Sequence, residues 1–171
     1  MRRIVLLAAI LLATPALAQQ RRQQPAPPPV AESVWGKGSA DLQEAFNRDM
    51  ARRGLTPRLD GIICDVSTTL ACSAQLRGVG LRLGGQVTPE AVRDVRLVFT
   101  RSTPMPDVAL LLHTLVAILE PQQTEDARRS AVLGLMGVGG PARDRVTVGR
   151  TEIRFADGFR EMAFEFRTIP G

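Results

Sequence analysis

The chain has no tyrosine, one tryptophan, one histidine (His113), one lysine (Lys37) and two cysteines (Cys64 and Cys72). Each shortage excludes some chemistry. Without tyrosine, one common general acid and one residue enriched at binding hot spots are missing. One histidine cannot complete a His-Glu-x-x-His motif, and together with two thiolates it falls one ligand short of a structural zinc site. As a general base His113 would need a partnered nucleophile or acid, and no motif places one beside it. The expectation is therefore a hydrogen-bonded or surface histidine. No Gly-x-Ser-x-Gly, Walker loop or dinucleotide loop occurs. The glycines of Gly137-Val138-Gly139-Gly140-Pro141 follow a helical pattern, not a strand, and lack the Lys-Ser/Thr of a phosphate loop, so they read as a helix stop. On this basis no catalytic residue, cofactor or metal ligand is assigned, and the balance leans away from an enzyme. A hydrolase built from Asp and Glu residues distant in sequence stays open as an alternative.

Long apolar runs are also scarce. The longest, Ile4 to Ala13, is too short for a bilayer core of about 30 Å. It follows the basic Met1-Arg2-Arg3 and ends at Thr14-Pro15, before the A-x-A site Ala16-Leu17-Ala18. These are the three parts of a secretory signal peptide, with cleavage expected after Ala18 and delivery to the periplasm or beyond. Residues 19–32 are rich in proline and glutamine and lack an apolar period, as in an extended, disordered linker. The remaining residues, 33–171, suffice for one domain with its own core. Residues 1–32 carry Arg2, Arg3, Arg21, Arg22 and Glu32, a net +3 of the chain's +5, so the domain keeps only +2. That is too little basic charge for a nucleic-acid partner, and no membrane span is expected after signal cleavage.

The two cysteines can be placed. Side chains alternate faces along a strand. In Ile62–Val66 and Leu70–Arg77 the even positions Ile62, Cys64, Val66, Leu70, Cys72, Ala74 and Leu76 are all apolar or cysteine. Setting Cys64 opposite Cys72 keeps both apolar faces on one side, with Ser67-Thr68-Thr69 as the turn. In an oxidising compartment this predicts a Cys64–Cys72 disulfide that staples a β-hairpin, contributing about 2–3 kcal/mol in the chain-entropy model. The spacing is not that of a C-x-x-C redox pair.

The rest of the pattern supplies layers. Leu42, Phe46 and Met50 mark a first helix over Ser39–Arg53, with Ser39 as its cap and Asp49 as one polar intrusion on the apolar stripe. Arg52 and Arg53 suit its negative C-terminal end. Trp35, just before this helix, is expected to anchor the entry of the domain. Alternation at Val79, Leu81 and Leu83, and again at Val95, Leu97 and Phe99, gives two further strands. Pro104 and Pro106 open a very apolar helix that runs to about Glu120, and Thr124 caps a third helix that ends near Gly137. Short strands around Val146 and Val148, Ile153 and Phe155, and Met162 to Phe166 close the chain, with Asp157-Gly158 as a hairpin signal. The fold class is α+β: an antiparallel sheet, containing the disulfide hairpin and the C-terminal hairpin, with about three helices packed on one face.

The function indicated is a non-catalytic binding or interaction module whose partner is an envelope protein or a small ligand. A structural or assembly subunit of an envelope complex is the second reading, and it predicts a large exposed apolar patch, with the C-terminal hairpin as the candidate place. If a contact site exists, it is expected on the polar face around Asp65, Ser73, Gln75 and Arg77, or along the helix edges.

Overall fold

The computed structural model describes residues 32–56, 58–65, 71–76, 79–84 and 92–169. Among them are three helices and seven strands: α1 (Ser39–Arg52), β1 (Ile63–Asp65), β2 (Ala71–Leu76), β3 (Val79–Gly84), β4 (Asp94–Phe99), α2 (Met105–Leu119), α3 (Glu125–Leu135), β5 (Arg145–Val148), β6 (Thr151–Asp157) and β7 (Met162–Thr168). All strands pair antiparallel in one sheet of order β1-β2-β3-β4-β7-β6-β5. Two meanders, β1 to β4 and β5 to β7, meet at the β4–β7 pair, and the two-helix excursion of α2 and α3 joins them.

The register is continuous across the sheet. One row of direct partners runs Cys64, Cys72, Leu83, Val95, Phe166, Ile153, Val146. Cys64 is thus opposite Cys72, the pairing that the alternation predicts. The side chains of both cysteines, and the turn Ser67-Thr68-Thr69, lie outside the described residues. Val95, Phe166 and Ile153 of this row are fully buried. The next row on the same face contains Ala74, Leu81, Leu97, Phe164 and Phe155. There Phe164 stacks on Phe99 at 5.5 Å between centroids and tilts against Phe155 at 5.4 Å, offset geometries that aromatic pairs favour.

The three helices cover this apolar face. α2 lies between α1 and α3. Its central place explains its composition: Val108, Leu111, Leu112, Leu115, Val116, Ile118 and Leu119 are all buried, because it meets the sheet and a helix on either side. Pro106 in its first turn lacks an N–H that would have had no partner there. α3 begins where expected, with the Thr124 hydroxyl accepting from Ala127 N–H.

α1 corrects the sequence in one detail. Its N-cap is Gly38, not Ser39, and the Asp41 carboxylate accepts the Gly38 N–H at 3.0 Å. The carboxylate of Asp41 supplies the satisfaction that a serine cap would have given. From α1, Asn47 clamps the following segment as a strand would. Its amide donates to Leu59 O at 2.9 Å and its carbonyl accepts from Leu59 N at 2.7 Å. Leu59 is thereby fixed in the core, 1% exposed.

Two connections of the last meander had different outcomes. The Asp157-Gly158 signal does mark the β6–β7 hairpin, which turns through Gly158–Glu161 with Gly158 N–H donating to Glu161 O. The β5–β6 hairpin turns at Gly149-Arg150, where Gly149 has φ +57°. A β-carbon there would lie 2.8 Å from the Glu120 carboxyl carbon. Gly139 also has positive φ, +84°, but open space around it. A left-handed alanine costs about 1–2 kcal/mol from the backbone alone. Gly139→Ala should cost about that much, whereas Gly149→Ala should cost clearly more, because it also displaces the Glu120 carboxylate. Thermal or urea unfolding of the two variants checks this, and equal losses would contradict the close approach.

Candidate functional site

Three polar arrangements stand out, and their chemistry differs. The first joins the helices. Asp49, the polar intrusion on the α1 stripe, is buried at 6% exposed, and it accepts from Arg52 at 3.1 Å and from Arg53 Nε at 2.8 Å. Arg53 Nη1 reaches across to α2 and donates to His113 Nδ1 at 2.8 Å. His113 Nε2 donates to Glu125 Oε1 of α3 at 2.9 Å, and Glu125 Oε2 accepts from Arg128 at 3.1 Å. Because Nδ1 accepts from Arg53, the imidazole must be the neutral tautomer with its proton on Nε2. Arg53 therefore does more than complement a helix end, the role its sequence position suggested. Asp49 and His113 make it the tie between α1 and α2.

Burial and the neighbouring Arg53 guanidinium push the His113 pKa down, outweighing the pull of Glu125. Burial nudges Glu125 upward, but His113, Arg128 and Arg53 hold it below its ordinary value. The chain is a His–carboxylate pair without a nucleophile. Both imidazole nitrogens are already committed to protein partners. Its job is to fasten three helices.

The second arrangement joins α2 to the sheet. Glu120, at the C-terminus of α2 and 7% exposed, accepts from the Thr151 hydroxyl at 2.6 Å and from Arg150 N–H at 3.1 Å. Thr151 Oγ1 accepts in turn from the Trp35 indole at 2.8 Å. Val34 N donates to Ile118 O and the Ser33 hydroxyl to Leu119 O, so the same end of α2 also receives the chain entering the domain. Trp35 is the anchor that the sequence suggested, and its partner is now specific.

The third arrangement is the sheet face turned away from the helices. Its central row of direct partners is Arg82, Arg96, Glu165, Arg154, Arg145. The adjoining row reads Asp94, Arg167, Glu152, Thr147. On the other side run Gly80, Val98, Ala163 and Ala156, a floor of small residues. All four arginines of the central row and Arg167 are exposed. Glu165 pairs with Arg96 at 2.9 Å and with Arg167 at 3.8 Å. Arg167 also meets Asp94 at 3.6 Å, and Arg145 meets Glu152 at 3.4 Å. Arg82 and Glu161 pair at 3.1 Å in a strap that spans β4, whose Val98 is buried on this face.

This face continues the polar side that the sequence singled out. Ser73 is the direct partner of Arg82, and Gln75 is the partner of Gly80 and is exposed. The side chains of Asp65 and Ser73, and all of Arg77, lie outside the described residues. The arginine row escaped the sequence reading. Its members come from five strands spread over more than eighty residues, and only the strand order makes them neighbours.

Cavities add little. An open groove of about 520 Å³ runs along α1 between Ala40, Gln43, Asn47, Ala51 and Arg58, with one carboxylate, Glu44, already held by Arg48 at 3.1 Å. A small void of about 10 Å³ lies between Phe46, Leu59, Leu97, Leu111 and Leu115 and has only apolar walls, which give a water no partner. Among the described residues, no three His, Cys, Asp or Glu side chains gather where a metal ion could be held. No described helix is long and apolar enough to cross a membrane. No protein family, curated protein or solved structure matches the chain.

The helix clasp has a pH signature. With a folded pKa below the ordinary 6.5, His113 binds fewer protons folded than unfolded between the two values. Stability is then full above about pH 6.5 and falls as the pH drops from there through the folded pKa. The expected outcome is a Tm that declines between about pH 7 and pH 5 in the natural protein. The decline should be smaller in His113→Gln, which cannot protonate. Equal pH dependence in both proteins would remove His113 from the account.

Proposed function

We propose that the protein is an exported, periplasmic binding module without catalytic activity, which docks on an envelope partner through the uncovered face of its sheet. The observation that carries this reading is the division of polar residues. The Asp49–Arg53–His113–Glu125 and Glu120–Thr151–Trp35 sets are spent on joining elements, with their partners in hand. The open face instead presents exposed arginines, one of which, Arg154, has no ion-pair partner among the described residues. Arg82, Arg96 and Arg145 hold only surface ion pairs, which contribute little, so these side chains can turn to another molecule at small cost.

Export rests on the signal-peptide pattern of residues 1–18. The Cys64–Cys72 disulfide rests on the direct pairing of the two positions together with an oxidising compartment.

A second reading, a subunit of an envelope assembly, has one observation in its favour. Phe159, at the tip of the β6–β7 hairpin, is 98% exposed, whereas Phe46, Phe99, Phe164 and Phe166 are buried. An aromatic so far from water exclusion is costly to keep unless something covers it.

The experiment uses the protein matured in a bacterial envelope. Mass spectrometry without reduction should read Gln19 as the first residue and Cys64 linked to Cys72. The same material, immobilised, should capture an envelope component. Arg96→Glu should lose that component, and an α3 variant such as Arg129→Glu should keep it. Capture of neither protein nor small molecule would overturn the docking reading. Capture lost instead in Phe159→Ser would favour the assembly reading.

A further inference from the structure

The central row of the open face breaks a rule of sheet design. Like charges directly opposite on neighbouring strands are destabilising. Here Arg82 faces Arg96, and Arg154 faces Arg145. Between the two doublets stands the single Glu165, and its ion pairs go to Arg96 and Arg167, not to its direct partner Arg154. Neighbouring acids relieve Arg82 and Arg145 at the margins, through Glu161 and Glu152. Even so, four arginines share one row with one glutamate. Exposed Thr at two of these positions would have suited the strand better. The surface pairs with Glu161, Glu165 and Glu152 offset this only weakly, and Arg154 has none among the described residues, so a local rule broken for so little structural gain marks a surface kept for something else.

The geometry of the row limits what that is. Strands lie about 4.8 Å apart, so the midpoints of the two doublets are about 14 Å apart. Extended chain advances about 3.4 Å per residue, which makes that gap about four residues. Arginine forks match planar carboxylates with two parallel hydrogen bonds. The central Glu165 would repel a continuous polyanion, but it leaves room for two separate acidic spots. Resting on the docking reading of this same face, we propose that the row Arg82-Arg96-Glu165-Arg154-Arg145 receives an extended acidic protein segment, laid across the strands, with carboxylates at two places about four residues apart.

The test uses the mature full-length chain and two synthetic peptides of about ten residues, of Ser and Gly, with two Glu pairs or two Lys pairs centred about four residues apart. Fluorescence anisotropy at low salt should show binding of the glutamate peptide and not the lysine peptide, weakening as salt rises. Arg154→Thr and Arg145→Thr should each weaken binding at least about tenfold, the loss expected when a charge-assisted contact is removed. Arg154→Thr should not lower Tm, since it removes a like-charge opposition and no ion pair; Arg145→Thr also gives up the exposed Glu152 pair, so its Tm should change little. Arg129→Thr on α3 should bind as the natural protein does. No binding by the natural protein, unchanged binding in Arg154→Thr, or an equal loss in Arg129→Thr would overturn the proposal. So would a fall in Tm in both face variants, which would give the arginines a structural role. If the peptide fails while Arg96→Glu still abolishes capture of an envelope component, the acidic segment falls and the docking surface stands.

Discussion

Side-chain parity governs this molecule. Alternate residues of a strand go to opposite faces, and a one-residue slip would exchange them. The pairing keeps that parity in step from β1 to β5, so that Val95, Phe166 and Ile153 fall in one row and Arg96, Glu165 and Arg154 in the next. One face is therefore apolar along its whole width and must be covered, while the other must be polar. The helix layer follows from the first condition. α2 meets the sheet and two helices, hence its apolar composition, and the flanking α1 and α3 are amphipathic.

Covering a sheet with separate helices leaves the helices to be held to each other. The few polar side chains that enter the helix layer do this. Asp49 sits where an apolar residue would be expected, and its burial is tolerable because two arginines neutralise it. Through Arg53 and His113 its influence reaches Glu125 on α3. Glu120 does the same between α2 and the β5–β6 turn, and only glycine at 149 lets its carboxylate come so close. The exposed pairs on the open face contribute little stability each, since water screens them. What they leave is a charged surface whose pattern is set by the strand order.

Local pattern made much of this legible in advance. The alternation in Ile62–Val66 and Leu70–Arg77 was enough to set Cys64 opposite Cys72, because a hairpin is a short-range problem with few registers. The three helices and their one-sided packing followed from apolar periodicity and from Thr124, Pro104 and Pro106. Contacts between distant elements were not legible. Arg53 looked like a helix-end residue because its partner His113 is sixty positions away. Asp49 looked like a flaw. The Gly149-Arg150 turn carried no strong signal, and its glycine is explained by Glu120, which packs on it from another element. The arginine row needed the full order β3-β4-β7-β6-β5, which sequence neighbours do not reveal.

The proposed division, a helix face committed to folding and an arginine face to meeting a partner, is tested most directly by photocross-linking in the living envelope. A photoreactive residue replaces Thr147, exposed on the open face beside the arginine row, or Arg129, exposed on α3. A discrete cross-linked species is expected from position 147 and none from position 129. A species from position 129 alone, or none from either, would contradict this division.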